Sequence, residues 1–259
     1  MQLDEIRALY DRYQRIEIEY AGTRKEVTPR VVRIIEQDGY AAVIYSQLDE
    51  TNADETIKGE IAHFTELGIA EGMEWKLFDY DRPADLKQRL IAHGFVPQEP
   101  PDAVLVLELD ALPDRLAQPV RHDIRLITDA RGLDDVFSIQ SDVWDEDHAF
   151  LRSRLETVLQ TAPQEMSIYC AYVDGVPASA GWIDFAGAPF AGLWGGSTRE
   201  EYRGRGLYTG LVAARAQEAR DRGFRFLTID ASPMSRPILE KLGFCLLAFA
   251  YQCNYHSST

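Results

Sequence analysis

Basic charge is scarce in this sequence. Its 27 Lys and Arg are outnumbered by 42 Asp and Glu, for a net charge of −15. The deficit is uneven. Residues 1–110 hold 12 basic against 23 acidic side chains, a balance of −11, whereas residues 111–259 carry only −4. Such a field disfavours a nucleic-acid partner; it suits a cationic amine, or simply a solvated surface. Cysteine is scarcer still. Cys170, Cys245 and Cys253 all fall in predicted strands with no pairing pattern, which points to reduced core thiols in a cytoplasmic protein rather than a disulfide framework. No apolar run approaches the ~20 residues of a membrane span. Met1 to Tyr20 is charged throughout, so neither a signal peptide nor an anchor is expected. The histidines, at 63, 93, 122, 148 and 256, are scattered, and no His/Cys group has metal-ligand spacing. Two phosphate-binding motifs are also missing. There is no Gly-Lys-Ser/Thr, and Gly204-x-Gly206-x-x-x-Gly210 is one residue too long for the dinucleotide fingerprint.

What the chain does have is a glycine turn between a strand and a helix. The apolar run Phe190 to Gly196 leads into Arg203-Gly204-Arg205-Gly206. A helical pattern follows, with Tyr208, Leu211, Val212, Ala216 and Ala219 on a buried stripe and Arg215, Glu218 and Arg222 on a solvated one. Gly223 stops it. Unpaired N–H groups and the macrodipole make a helix start a seat for negative charge. Glycines let a phosphate approach the backbone, and Arg203 and Arg205 add fixed charge. Arg225 to Asp230 reads as the next strand. Ser232-Pro233 can open a short helix ending Leu242-Gly243-Phe244, and a last strand runs from Phe244 to Tyr255.

This order resembles the GNAT N-acetyltransferases, whose Arg/Gln-x-x-Gly-x-Gly/Ala wraps the pyrophosphate of acetyl-CoA. The match is Arg203-x-x-Gly206-x-Tyr208, with Tyr208 in place of the final small residue. Leu242-Gly243-Phe244 is a second marker. The resemblance implies a cofactor site on Gly196, Ser197, Thr198, Arg203, Gly204, Arg205, Gly206, Leu207, Tyr208, Thr209 and Ser232. It implies direct attack of an amine of a small molecule or peptide on the thioester, with oxyanion donors beside a strand bulge at Gly195-Gly196. The family's Tyr and Asn near the second marker are replaced by Leu239 and Ser232, so Ser232, or less directly Ser235, is the remaining hydroxyl for the thiolate. Base candidates are Asp142, Asp145, Glu146, His148 and Asp184. Trp144, Trp182 and Trp194 can line an acceptor cleft or fill the core.

The first half repeats the second faintly. A helix is expected over Leu3 to Glu19, a hairpin over Val31–Glu36 and Tyr40–Ser46 around Gln37-Asp-Gly39, a helix over Asn52 to Leu67 and a strand over Trp75 to Tyr80. A third helix runs from Arg82 to His93, and Ala103 to Leu109 is a strand. Leu90-x-x-x-Gly94-Phe95 echoes Leu239-x-x-x-Gly243-Phe244. Where the glycine turn would lie there is the acidic Asp49 to Asp54, which would repel a pyrophosphate. The expected fold is therefore mixed α/β (α+β), two tandem GNAT-like modules, each a mixed central sheet flanked by helices. Residues 1–111 would form the degenerate module and 120–259 the cofactor-binding one, with Leu112 to Pro119 as linker. The first module would complete the sheet, shape the substrate cleft or form a homodimer face. Two rival readings remain: a non-catalytic acyl-CoA-binding or regulatory protein, and a structural module with an empty turn.

Overall fold

Short apolar runs buried on both faces, separated by glycine and acidic turns, form the strands of two units, each a mixed sheet with helices. The computed structural model describes residues 1–20, 22–36, 40–144 and 148–256. The expected turn Gln37-Asp-Gly39 and the base candidates Asp145 and Glu146 lie outside the described residues. The division is not a single cut. Met1–Val104, Ala231–Arg236 and Leu246–Thr259 form one unit, and Leu105–Asp230 with Pro237–Cys245 the other. The last strand thus groups with the N-terminal residues, whereas the sequence suggested a boundary in the 112–119 segment.

In the first unit, helix α1 (Leu3–Tyr10) is followed by a wider π turn over Asp11–Ile16, not by the continuous helix expected to Glu19. Arg15 is turned inward there, where it bonds both carboxylate oxygens of Asp81 and the carbonyl of Ile44. Strands β1 (Thr23–Val27), β2 (Val31–Glu36) and β3 (Ala41–Ser46) pair antiparallel; β4 (Glu74–Phe78) joins β3 in parallel. Helices α2 (Ala53–Glu66) and α3 (Leu86–Ala92) bring Ile57, Phe64 and Leu90 onto Trp75 and Phe95. Phe95 begins β5 (Phe95–Pro97).

Strand β6 (Asp102–Glu108) leads toward the second unit. The expected linker is instead structured. Asp114–Ala117 forms the short helix α4, Leu116 is buried, and the Gln217 side chain donates to the carbonyls of Leu116 and Gln118. Strands β7 (Asp123–Ile127), β8 (Met166–Val173), β9 (Val176–Asp184) and β10 (Phe190–Thr198) form an antiparallel run, and β11 (Phe226–Ala231) adds in parallel to β10. Asp174 and Gly175, at φ 51° and 81°, make the expected β8–β9 turn. Helices α5 (Ala130–Val143) and α6 (Ala149–Thr161) cover one face with a cluster that includes Cys170 and Trp182. Helix α7 (Leu207–Asp221) packs on Ala171 and Ala178. Neighbours in a strand face opposite ways, so Cys170 and Ala171 assign α5 and α7 to opposite faces.

The last helix, α8, spans only Arg236–Lys241, and β12 (Cys245–Tyr255) pairs with β4 and β5. The two Leu-x-x-x-Gly-Phe stretches share a geometry. Each ends a short helix at a left-handed glycine, Gly94 at φ 95° and Gly243 at φ 98°, between buried Leu and Phe side chains. All three cysteines are free, but only Cys170 and Cys253 are core; Cys245 is exposed, against expectation.

Candidate active site

Helix α7 starts on glycine and is not capped by a side chain. Gly204 and Gly206 hold φ 75° and 81°, and Gly206 is the N-cap residue. Left-handed backbone of this kind favours glycine, and a Cβ on Gly204 would meet open space. The first intrahelical bond is Gly210 N–H to the Gly206 carbonyl, at 2.9 Å. The amides of Leu207, Tyr208 and Thr209 precede it and point out of the helix start. Arg203 and Arg205 are exposed. Arg203 Nε donates to the Thr198 carbonyl at 3.2 Å, and Arg205 Nη2 to that of Glu201 at 3.3 Å. Among the described residues neither forms an ion pair. Thr209 is half-buried beside this start and Leu207 is core. The arrangement is a candidate anion seat, since a helix start of this kind favours negative charge.

Beside the turn the sheet opens. Strands β10 and β11 pair only from Phe190–Phe226 to Gly192–Thr228. Beyond that they part, leaving a wedge between Leu193–Thr198 and the end of β11. On its other side β10 keeps β9, with a bulge between Trp194 and Ser197. The bulge requires glycine twice. Gly195 sits at φ 61°, and a Cβ there would come within 1.9 Å of the Trp182 ring. A Cβ on Gly196 would come within 2.8 Å of Tyr208 Cε2. The Tyr208 ring therefore lies against the bulge, half-buried, on the sheet side of its helix.

Two buried polar side chains hold this bulge, and the sequence reading missed both as site residues. Gln140, from α5, donates to the Gly195 carbonyl at 2.8 Å. Arg215, from α7, donates through Nη1 to the carbonyls of Trp182 at 2.9 Å and Trp194 at 3.3 Å. Arg215 was expected on the solvated stripe; it is 1% exposed. Among the described residues its hydrogen bonds all go to carbonyls, and burial pushes its guanidinium down to about 10. Ser197 faces the same interior: its hydroxyl donates to Gln140 Oε1 at 3.0 Å and accepts from Trp144 Nε1 at 2.8 Å. The Thr198 hydroxyl meets that of Ser179 at 2.7 Å. His122, scattered in sequence, stands beside the turn, 3.4 Å from where a Gly206 Cβ would be.

The remaining candidates disperse. Asp184 lies opposite Gly192 on β9, across β10 from the side where β11 parts, and accepts from the Ala186 amide at 2.7 Å. Burial raises its carboxyl above the ordinary range. Asp230 stands half-buried at the parting end of β11, a strand-terminal carboxylate that the sequence signalled only by position. Asp142 pairs with Arg199 at 2.8 Å, and the His148 ring packs near Phe137. Ser232 does not start a helix. It opens a turn in the segment that groups with the first unit, and its hydroxyl contacts the Ser235 hydroxyl at 3.3 Å. Helix α8 begins only at Arg236, and Leu239 is fully buried. Trp182 is core, whereas Trp144 and Trp194 are 45% and 41% exposed.

The family model described as the acetyltransferase (GNAT) family matches residues 133–244. No curated protein matches the sequence at a significant level. Among solved structures, a GCN5-related N-acetyltransferase from Kribbella flavida superposes with a TM-score of 0.68 at 16% identity, over 98% of this chain and 95% of its own. A functionally unknown conserved protein from Staphylococcus epidermidis gives 0.67 at 13% identity, over 92% and 96%. A tandem GNAT protein from the clavulanic acid biosynthesis pathway gives 0.59 at 16%, over 99% and 89%. At such identities the likeness is one of fold. The matched segment contains α5, the bulged β10, the glycine turn, α7 and β11, the elements that build the wedge and the anion seat. Residues 133–244, a little under half of the chain, are thus similar to the acetyltransferase (GNAT) family.

Proposed function

We propose that the second unit transfers an acetyl group from acetyl-CoA to a primary amine of a small molecule or peptide by direct attack. The observation that carries this reading is the joining of an uncapped helix start to a bulged strand that parts from its parallel neighbour. The uncapped amides of α7 fit a pyrophosphate, as do Arg203 and Arg205, which have no ion-pair partner among the described residues, and Gly204 leaves its approach open. Acetyl-CoA, when bound, supplies an activated acyl group on a thiol leaving group. The bulge supplies backbone N–H donors for the negative charge that develops on the acyl oxygen. An alkyl amine, with an ordinary pKa of about 10, must lose a proton to attack. Asp184, which ends β9 opposite Gly192 and is shifted upward by burial, is our candidate acceptor. In the first unit, Asp49 places its carboxylate on the amides of Thr51 and Asn52 just ahead of α2, so we assign cofactor binding to the second unit alone. The free thiols agree with a cytoplasmic setting.

A second reading, an acyl-CoA-binding protein without turnover, is favoured by one observation: Leu239 is buried and apolar where the resemblance expects a proton-donating Tyr. Thermal unfolding with acetyl-CoA, against NADH and ATP as controls, tests the cofactor. A ligand at 100 times its Kd adds about 2.7 kcal/mol. No rise with saturating acetyl-CoA would sink both readings. A rise without thiol release across an amine panel would favour the second.

A further inference from the structure

Two adjacent glycines are the most mobile pair a chain can offer, yet oxyanion donors work only when their direction is fixed before the reaction. Something must hold the peptides of Gly195 and Gly196. We infer that Gln140 and Arg215 are positioning residues that clamp the Trp194-Gly195-Gly196 bulge from opposite faces of the sheet. The inference rests on the acyl-transfer reading for its catalytic consequence, but not for the clamp itself.

The geometry is specific. Arg215 Nη1 bridges the carbonyls of Trp182 and Trp194, the last register pair of β9 and β10 before the bulge interrupts their ladder. Gln140 Nε2 takes the very next carbonyl, that of Gly195, at 2.8 Å. A trans peptide keeps each C=O antiparallel to the N–H that follows it. Fixing the carbonyls of Trp194 and Gly195 therefore fixes the N–H vectors of Gly195 and Gly196. Both clamps are themselves held. Gln140 Oε1 accepts from Ser197, whose hydroxyl accepts from Trp144; Arg215 Nε is tied to the Leu211 carbonyl one helical turn back. Gly181 makes room for the guanidinium, since a Cβ there would fall 2.9 Å from Nη1.

A neutral donor could satisfy the same carbonyls without burying a charge. Arg215 has no carboxylate partner, and its Nη2 is buried without any hydrogen bond among the described residues. Burying an uncompensated cation is costly. Beside the bulge that cation favours negative charge at the donors it orients, an advantage realised only as the acyl oxygen becomes an anion.

The test uses the full chain with 15N-labelled glycine and the variants Gln140→Met, Arg215→Met and Arg215→Lys. In the wild type the amides of Gly195 and Gly196 should have order parameters near 0.85, as in rigid backbone; in the Met variants they should fall toward 0.6, with Gly181 and Gly210 unchanged. Acetyl-CoA affinity should hold within about threefold, while thiol release falls ten- to a hundredfold, the scale of a misplaced reacting group. Arg215→Lys keeps the charge but not the fork, and should behave like Arg215→Met. If Arg215→Met does not fold, Gln140→Met reads the same bulge from the other face. Unchanged order parameters, or an Arg215→Lys enzyme with wild-type turnover, would overturn the clamp. If the wild type neither binds nor turns over acetyl-CoA, the acyl-transfer reading fails, and the glycine amides still decide whether the clamp exists.

Discussion

Replacing Gly195 with Ala places two separable loads on the bulge. The first is conformational: at φ 61° a side chain meets its own backbone, which costs about 1–2 kcal/mol. The second is steric. The new methyl would lie 1.9 Å and 2.0 Å from two atoms of the Trp182 ring, far inside contact distance. Trp182 is packed with Phe137, Ile139 and Ile168, so the ring can leave only by opening a void, and forced overpacking adds about 1–3 kcal/mol. The sum is about 2–5 kcal/mol, against a usual stability of about 5–15 kcal/mol. Gly223→Ala isolates the first load, because Gly223 has φ 84° with nothing within 4 Å of a Cβ. Urea unfolding of both variants, read from midpoints at a common slope, should show Gly195→Ala the less stable by at least 1 kcal/mol. Equal midpoints would mean that Trp182 does not pack on the bulge, and the account of why β10 carries two glycines would fail.

Arg203→Ala should weaken acetyl-CoA binding about tenfold by calorimetry, the worth of one charge-assisted contact; unchanged affinity would remove Arg203 from the anion seat. The same titration should give one site per chain, and two would refute the assignment of cofactor binding to the second unit alone. Ellman's reagent at neutral pH should label one thiol of the native protein, exposed Cys245, and three after denaturation, because burial pushes Cys170 and Cys253 up to about 12. Two or more fast native thiols would contradict the packing. Asp184→Asn should stabilise the protein at pH 7. A carboxyl whose folded pKa is raised binds its proton more tightly when folded, so the wild type loses stability as pH rises from the unfolded value of 3.8 through the folded one. The gain should vanish below that window; a gain that persists in acid would show that the charge is not its cause.

Most elements were legible because each carries its own signal. Asp174-Gly175 announces a hairpin, and Gly223 stops α7 by a left-handed conformation that only glycine adopts cheaply. Both Leu-x-x-x-Gly-Phe stretches could be matched by eye, since the same glycine geometry closes both helices. The glycine turn ahead of α7 was legible for the same reason. Arg215 was not. In sequence it sits with Glu218 and Arg222 in a polar run, and periodicity alone assigns charged residues to the solvated stripe. Only its spacing of seven from Tyr208, two turns along one helix face, hinted that it points at the sheet. Gln140 was hidden likewise, a polar residue between Ile139 and Ser141 whose partner, the Gly195 carbonyl, is far off in the chain. The linker failed differently. Proline at 113 and 119 suggested a loop, but Leu116 had a buried site to fill on α7.

The two units show what separates a helix start that can take an anion from one that cannot. At α2, Asp49 accepts from the amides of Thr51 and Asn52 through its carboxylate and from Ala53 through its carbonyl, while Asn52 returns a bond to the Asp49 amide. Asp54, in the first turn, is committed to Arg89 and His93. The Asp49 bonds lie just ahead of the helix, whose N-cap Asn52 makes no side-chain cap bond, and they set fixed negative charge beside the helix start. At α7 the same place in the chain order holds Gly204, Arg205 and Gly206, with two arginines that have no carboxylate partners among the described residues. The acidic imbalance of the first 110 residues is thus not merely a solvated surface. Part of it sits beside the start of α2, where Asp49 and Asp54 supply negative charge, whereas α7 starts on glycines beside two arginines.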